Sequence, residues 1–326
     1  MKHTALKILE ILDRHDKSIS GEKISQELGI SRSAVWKHIK ELRELGYEIT
    51  ASQKEGYRIT RRTTRLIPYE IERHLKTKRI GSEIHYVAST PSTIWLGKQM
   101  LAEIDREIPE GFVILAEEQT GGIGRLGRSW ASPAGGIWTT IVLKPEIPIS
   151  RAFMIMMASS VAVARAIRKE FDIGALIKWP NDIFIGDKKV AGMHLELSAE
   201  ADTIHYCLLS IGIDVNVSIA ELMPILNRDV TSISEELGYD VDRSKFLART
   251  LTEFERRYNL VEHNEYDALL REWKSLSCTL EQRVEIRTLK KTFVGEAIDI
   301  DDHGALIIRK DNGKIERVIA GDCYLL

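Results

Sequence analysis

Residues 119–130 read Gln-Thr-Gly-Gly-Ile-Gly-Arg-Leu-Gly-Arg-Ser-Trp, so four glycines and two arginines fall within twelve positions, directly after the apolar run Phe112–Ala116. Glycine lets a backbone approach a ligand closely and take positive φ. Arginine supplies planar, permanently charged donors that match carboxylate and phosphate. A strand feeding such a loop is suited to holding an anion. No Gly-Lys-Ser/Thr closes the run, so it is not a Walker A loop. It is not the dinucleotide fingerprint in its usual setting either, because Leu126-Gly127-Arg128 leads into strand-like residues from Gly136 rather than an apolar-periodic helix. A glycine hairpin with solvated arginines describes the run equally well. A second candidate is Lys178-Trp179-Pro180-Asn181-Asp182, which follows Gly174–Ile177 and precedes another strand-like run. Pro180 fixes its own φ and pushes Trp179 to extended backbone. Lys178 at a strand end beside an aromatic is a candidate anion ligand, although Asn181-Asp182 is ordinary turn chemistry and a β-turn with an exposed lysine accounts for it too.

The elements that position these residues divide into three regions. Residues 1–62 read as a helix-turn-helix with a wing. Leu6, Ile8, Leu9, Ile11 and Leu12 predict a first amphipathic helix. Ser20 is placed as the N-cap of a second helix that stops at Gly29, and Ser31 caps a third whose inner stripe is Val35, Ile39 and Leu42. That third helix would present Arg32, Ser33, Trp36, Lys37 and Lys40 outward, as phosphate and base-edge donors on a rod that fits a major groove. Alternation in Tyr47–Ile49 and Tyr57–Ile59 around Lys54-Glu55-Gly56 predicts a β-hairpin wing. A three-helix interaction module with a solvated basic face is the plainer alternative, but the Ile30–Ile39 run resembles a bacterial winged helix-turn-helix recognition helix. Arg61–Arg65 reads as a linker.

Residues 66–275 alternate strand-like runs (84–88, 112–116, 136–143, 182–185, 190–197, 205–213) with helical ones (93–104, 151–170, 245–260, 264–274). Several strands follow one another through short turns, which favours a mixed α+β domain over a doubly wound one. The stripe Met154, Met156, Met157, Ala158 reads as buried core. His194 and Glu196 alternate outward on one strand and read as surface or satisfied polar residues, not metal ligands. Residues 276–326 hold short strands at 284–288, 294–300, 305–310 and 316–319, separated by Asp301–Gly304 and Asp311–Gly313. Tight hairpins in so short a stretch predict a small β-barrel, with no catalytic constellation visible in it.

Bulk properties narrow the class. A chain of 326 residues is expected to form two or three domains. No run approaches the length of an uncharged membrane span, and the N-terminus lacks a signal-peptide pattern, so no membrane and a cytoplasmic location are expected. Cys207, Cys278 and Cys323 are odd in number and far apart, which argues for reduced thiols and against a zinc site. The net charge of -2 hides an asymmetry: residues 1–62 hold 13 Lys and Arg against 9 Asp and Glu, while the rest of the chain is acidic. A basic first fifth suits a nucleic-acid module.

The two motifs together resemble those of biotin protein ligases: Gln-x-x-Gly-x-Gly-Arg-x-Gly-Arg-x-Trp, then Lys-Trp-Pro-Asn-Asp about fifty residues later. Ser89-Thr90 after Tyr86–Ala88, Lys188–Gly192 and Ile211–Asn216 agree with it. With a winged helix-turn-helix in front and a small SH3-like barrel behind, the chain resembles the bifunctional form that is both ligase and biotin-operon repressor. The resemblance implies an α+β architecture of a winged-helix domain (1–62), a catalytic domain (66–275) and a barrel (276–326). It implies biotin and ATP as substrates, with Mg²⁺. It implies as partners an apo biotin carboxyl carrier protein of biotin-dependent carboxylases and operator DNA, with homodimerisation when biotinyl-5′-AMP is bound. Ser89, Thr90 and Gln119 would bond biotin. Gly122 to Arg128, including Gly124, would close over it. Arg125 would hold the adenylate phosphate, and Lys178 the reacting carboxylate and α-phosphate. Arg128, Trp130, Asn181, Asp182 and Lys189 would form the ATP side, with Asp182 a candidate magnesium ligand.

Three positions depart from the family pattern. Ile123 stands where an additional arginine is frequent. Ser210, a candidate biotin contact, stands where glycine is common. Asp214 replaces the usual asparagine, as a charge near the site or a solvated strand end. A biotin sensor with decayed catalysis and a lipoate ligase are the alternatives. The loop 218–229 is a candidate for ligand-coupled ordering, and its Leu222, Ile225 and Leu226 equally fit a buried helix.

Overall fold

The structure is a computed structural model that describes residues 3–15, 17–52, 55–103, 107–222 and 230–326. Lys54 and most of the 218–229 loop lie outside the described residues. The chain divides into two compact units, Met1–Tyr69 and Glu70–Leu326.

In the first unit, helices α1 (His3–Arg14), α2 (Gly21–Leu28) and α3 (Arg32–Glu44) precede the antiparallel strands β1 (Glu48–Ser52) and β2 (Gly56–Arg61). The starts and stops follow local chemistry. The Ser20 and Ser31 hydroxyls accept from the Lys23 and Ala34 amides at 3.2 Å, and Gly29 ends α2 at φ 63°. Such a left-handed terminus suits glycine, which has no Cβ to clash. Ile8, Leu9, Ile24, Val35, Ile39 and Leu42 are fully buried together. That leaves Arg32, Ser33, Trp36, Lys37 and Lys40 exposed on the opposite face of α3.

The second unit begins with a short helix α4 (Pro68–Glu72) at its boundary. Its centre is a seven-stranded mixed sheet in the order β3 (Ile84–Thr90), β4 (Val113–Gln119), β5 (Ile137–Leu143), β9 (Thr203–Ile213), β8 (Lys188–Glu200), β7 (Asp182–Ile185) and β6 (Ala175–Lys178). Only β3 and β4 run parallel; the remaining pairs are antiparallel. Helices α5 (Thr93–Glu103), α6 (Phe153–Phe171), α9 (Arg243–Glu262) and α10 (Tyr266–Leu276) accompany it, with the short turns α7 (Ile219–Leu222) and α8 (Ile233–Leu237) between. The stretch Ile149–Phe171 is long and apolar enough to cross a membrane by length and composition, although Arg151, Arg165, Arg168, Lys169 and Glu170 keep it from being an uncharged run. Here 72% of its most apolar window is buried, and Met154, Met157 and Ala158 are fully enclosed.

A second, five-stranded antiparallel sheet completes this unit: β13 (Ile315–Val318), β12 (Leu306–Lys310), β11 (Thr292–Ile300), β10 (Arg283–Arg287) and β14 (Asp322–Leu325). The last strand was not predicted. Four residues with an exposed Tyr324 and Leu325 carry no period long enough to read. Trp179 ties the two sheets together. It is buried, its Nε1 donates to the Gly304 carbonyl at 3.1 Å, and its amide donates to Thr279 Oγ1 at 2.9 Å. The tryptophan beside Lys178 therefore serves as a structural anchor.

Candidate active site

The glycine run forms an ordered hairpin that returns on itself. Gly124 N donates to Arg128 O at 2.7 Å, and Trp130 N to Gly122 O at 2.8 Å. A Cβ on Gly122 would lie 2.4 Å from the Trp130 carbonyl oxygen, so only glycine fits there. The hairpin leans over one end of the seven-stranded sheet and closes a cavity. Ile123, Gly124, Arg125, Arg128 and Trp130 line it from the hairpin, and Asn181, Asp182, Lys189 and Ser210 from the sheet. Thr93, Ser129, Thr139, Gly192, Met193, His194, Ile211, Gly212 and Asp322 complete the wall and were not among the predicted site residues.

The other predicted residues, Ser89, Thr90, Gln119, Gly122 and Lys178, do not line this cavity. Gln119 stands behind Thr93, whose amide donates to its Oε1 at 2.8 Å. Thr90 is buried and Ser89 exposed at the end of β3. Lys178 Nζ sits 4.8 Å from the Phe184 ring centroid and 5.8 Å from that of Tyr324.

Arg125 is the central cation. Its guanidinium donates to Asn181 Oδ1 at 2.9 Å and to the Gly321 carbonyl at 3.3 Å. Asn181 is itself held by Nδ2 donating to Met193 O at 2.7 Å. Both acceptors of Arg125 are neutral, while burial works against its charge and Asp182 and Asp322 favour it from a distance. A partly desolvated guanidinium without a bonded carboxylate is a receptor for an anion. Arg128 differs: it holds Asp322 through both carboxylate oxygens. Asp182 and Lys189 pair at 2.5 Å.

Trp130 fills the space between two glycines. A Cβ on Gly192 would come 2.9 Å from its ring, and one on Gly212 would come 3.0 Å from its Nε1. Lys189 Nζ lies 4.7 Å from the ring centroid. Trp130 Nε1 and Asp214 Oδ1 are buried and have no hydrogen-bond partner among the described residues. Asp214 is 3% exposed, so it is not a solvated strand end. Burial pushes its carboxyl up to about 8, with Lys189 opposing, which leaves it neutral at pH 7 rather than an added charge. His194 is half-buried and lines the cavity, with its Nε2 3.4 Å from Glu196 Oε1, as a satisfied polar residue would be. The three cysteines are free, and burial raises Cys207 and Cys323 to about 12.

This geometry defines a class: an α+β ligase fold with an anion-receiving hairpin over its sheet, carrying a separate winged-helix unit. Comparison with known proteins narrows it further. Residues 87–216 match the Biotin/lipoate A/B protein ligase family, 4–58 an HTH domain and 279–326 the Biotin protein ligase C terminal domain. The chain is 36% identical over 94% of its length to the bifunctional ligase/repressor BirA of Bacillus subtilis (strain 168), covering 94% of that protein. It is 27% identical over 94% of its length to BirA of Escherichia coli (strain K12), covering 92% of it. The biotin protein ligase of Aquifex aeolicus solved with biotin and ATP shares the fold, with a TM-score of 0.63 at 23% identity, over 75% of this chain and 99% of that one. The chain belongs to the biotin protein ligase family, in its bifunctional ligase/repressor form.

Two measurements test the site as described. Between about pH 4 and 8 the folded chain keeps an Asp214 proton that the unfolded chain releases, so this residue subtracts stability as pH rises through that window. Asp214→Asn is therefore expected to raise the melting temperature relative to the parent at about pH 9 and change it little at about pH 5; parallel shifts at both would place Asp214 in water. Asp322→Asn removes the carboxylate that holds Arg128. Trypsin should then cut after Arg128 about two- to fivefold faster, with far-UV dichroism unchanged. Equal cleavage rates would mean that the hairpin holds itself.

Proposed function

We propose that this protein is an ATP-dependent biotin protein ligase and a biotin-responsive transcriptional repressor. The observation that carries the ligase reading is Arg125, a partly buried cation bonded only to neutral oxygens over a cavity that also holds Arg128 and Lys189. Biotin and ATP are both anions, and joining them requires fixed positive charge where they meet. A biotin carboxylate oxygen attacks the α-phosphorus and pyrophosphate leaves, giving biotinyl-5′-AMP. Arg125 holds the phosphate of this mixed anhydride, and Lys178 attends the carboxylate and α-phosphate. Ser89, Thr90, Gln119 and the Gly122–Gly124 backbone grip biotin. Trp130, Asn181, Asp182, Lys189 and Arg128 form the nucleotide side. Excluding water with the hairpin protects the anhydride from hydrolysis.

An amine then attacks the acyl carbon, AMP leaves, and the nitrogen loses a proton. The acceptor is a lysine of an apo biotin carboxyl carrier protein. Asp182, paired with Lys189, would be the carboxylate that holds a magnesium ion beside the ATP phosphates, where the ion would offset their charge.

The repressor reading rests on α3, whose exposed Arg32, Ser33, Trp36, Lys37 and Lys40 share one face. Biotinyl-5′-AMP promotes homodimerisation and binding to a two-fold operator, through a difference in its affinity for the two assembly states. A cytoplasmic location fits both roles.

The deciding experiment mixes the protein with biotin, Mg²⁺-ATP and an apo carrier domain. A mass gain of one biotin on the carrier is expected; tight biotin binding without transfer would favour a sensor. Arg125→Gly should keep the fold but release biotinyl-5′-AMP, which then labels lysines indiscriminately; strict carrier specificity in that variant would remove Arg125 from its role. Lys37→Ala should weaken operator binding and lower the salt slope by about 0.9 while ligation stays constant. A parallel fall in ligation would mean that the two activities are not separable.

A further inference from the structure

Three cations of the site are met by residues 321–324, at the end of the chain. The Gly321 carbonyl accepts from Arg125 at 3.3 Å, Asp322 holds Arg128, and the Tyr324 ring centroid lies 5.8 Å from Lys178 Nζ. Alternation along β14 explains why so short a segment reaches them. Cys323 is buried opposite Ile286 of β10, so Asp322 and Tyr324 leave the other face of the sheet together. Tyr324 stands directly opposite Glu285 in that ladder. The Arg287 guanidinium lies 4.6 Å from the Tyr324 ring centroid and pairs with Glu285 at 2.5 Å. The ring is thus held in place from within its own sheet.

Lys178 is held differently from the two arginines. Among the described residues its ammonium has no carboxylate or hydrogen-bond partner; its neighbours are two aromatic rings, Phe184 at 4.8 Å and Tyr324 at 5.8 Å. Asp182 lies opposite Lys178 across the β6–β7 ladder, but that carboxylate binds Lys189. The Cys278 and Cys323 thiols are also close by, and burial keeps both protonated and uncharged. A ring face attracts an ammonium through its quadrupole. It orients a flexible lysine without cancelling the charge, as a carboxylate in the same place would do.

We propose that Tyr324 is a positioning residue for adenylate formation: with Phe184 it aims the Lys178 ammonium and leaves its charge available to the biotin carboxylate and the α-phosphate. This deepens the ligase reading and rests on it. Phe184 sits on β7, the strand next to Lys178 on β6, whereas Tyr324 comes from the five-stranded sheet. Lys178 therefore gains its second ring only from the part of the chain whose sequence shows no catalytic constellation. That sheet contributes to the chemistry through a side chain that acts on Lys178 rather than on the substrates.

Biotin-dependent exchange of pyrophosphate into ATP by the full chain tests this. Tyr324→Phe keeps the ring and should run at the parental rate. Tyr324→Leu should lower kcat about two- to fivefold while KM for biotin changes little. Increasingly fluorinated phenylalanines at position 324 drain the ring face in steps, and kcat should fall at each step. A ring that only fills space would give a flat series. That outcome, or a parental rate in Tyr324→Leu, overturns the proposal. If Tyr324→Leu fails to fold, the fluorinated series, which changes volume little, still decides. Lys178→Met separates the two readings. It should be slower than Tyr324→Leu, and fluorination in that background should have no further effect; a continued fall there would mean that the ring acts elsewhere. A parental rate in Lys178→Met would instead remove Lys178 from the ligase reading itself.

Discussion

The register between β8 and β9 is the constraint on which the site depends. Their ladder runs from Ala191 opposite Ile213 to Glu200 opposite Thr203, and it sets Gly192 against Gly212 and His194 against Ser210. The two glycines make room for Trp130, and the two polar residues face the cavity. A slip of one residue would turn both pairs to the other face and put Cβ atoms where the indole lies. Neither strand holds this register by itself. Leu208, Leu209, Ile211 and Ile213 are buried, and β5 pairs with β9 over seven positions on its far side. The apolar packing of the sheet thereby sets the spacing of polar groups that contribute little to its stability.

Charge is handled differently at the three cations over the cavity. Lys189 and Arg128 each have a carboxylate partner, Asp182 and Asp322, and are neutralised before any ligand arrives. Arg125 is oriented by an amide and a carbonyl and keeps its full charge for an anion. Positional accuracy and electrostatic availability are thus supplied by different neighbours. Asn181 gives direction without neutralising, which an aspartate there would not do. Asp214 extends the pattern: enclosed without a partner, it stays neutral and adds no negative field beside Arg125.

Much of the fold was legible because its signals are local. Ser20, Gly29 and Ser31 act within a few residues of themselves, and the Val35, Ile39, Leu42 stripe reports one buried face. The hairpin at 122–130 and the turn at 178–182 could be named as candidates on the same ground. What escaped was set by distant chain. Alternation showed that His194 and Glu196 share a face, but not that Lys98 of α5 lies beside them. Asp214 looked like a strand end, and only the amide of Ile233, which binds its carbonyl at 3.0 Å, shows how it is covered. Asp322 belongs to a strand too short to carry a pattern, and its partner is 194 residues away.

That last separation bears on the order of events during synthesis. Arg128 is translated long before Asp322, and no shorter stretch of chain contains both. At about 5–20 residues per second the ribosome needs about 10–40 s to cover the interval. During that time the rest of the sheet can fold while the hairpin lacks its clasp. A nascent chain therefore lacks the Arg128–Asp322 clasp on its glycine run until the last strand of the five-stranded sheet has been made, and the hairpin's own backbone hydrogen bonds are all that its sequence can supply before the sheet beneath it exists.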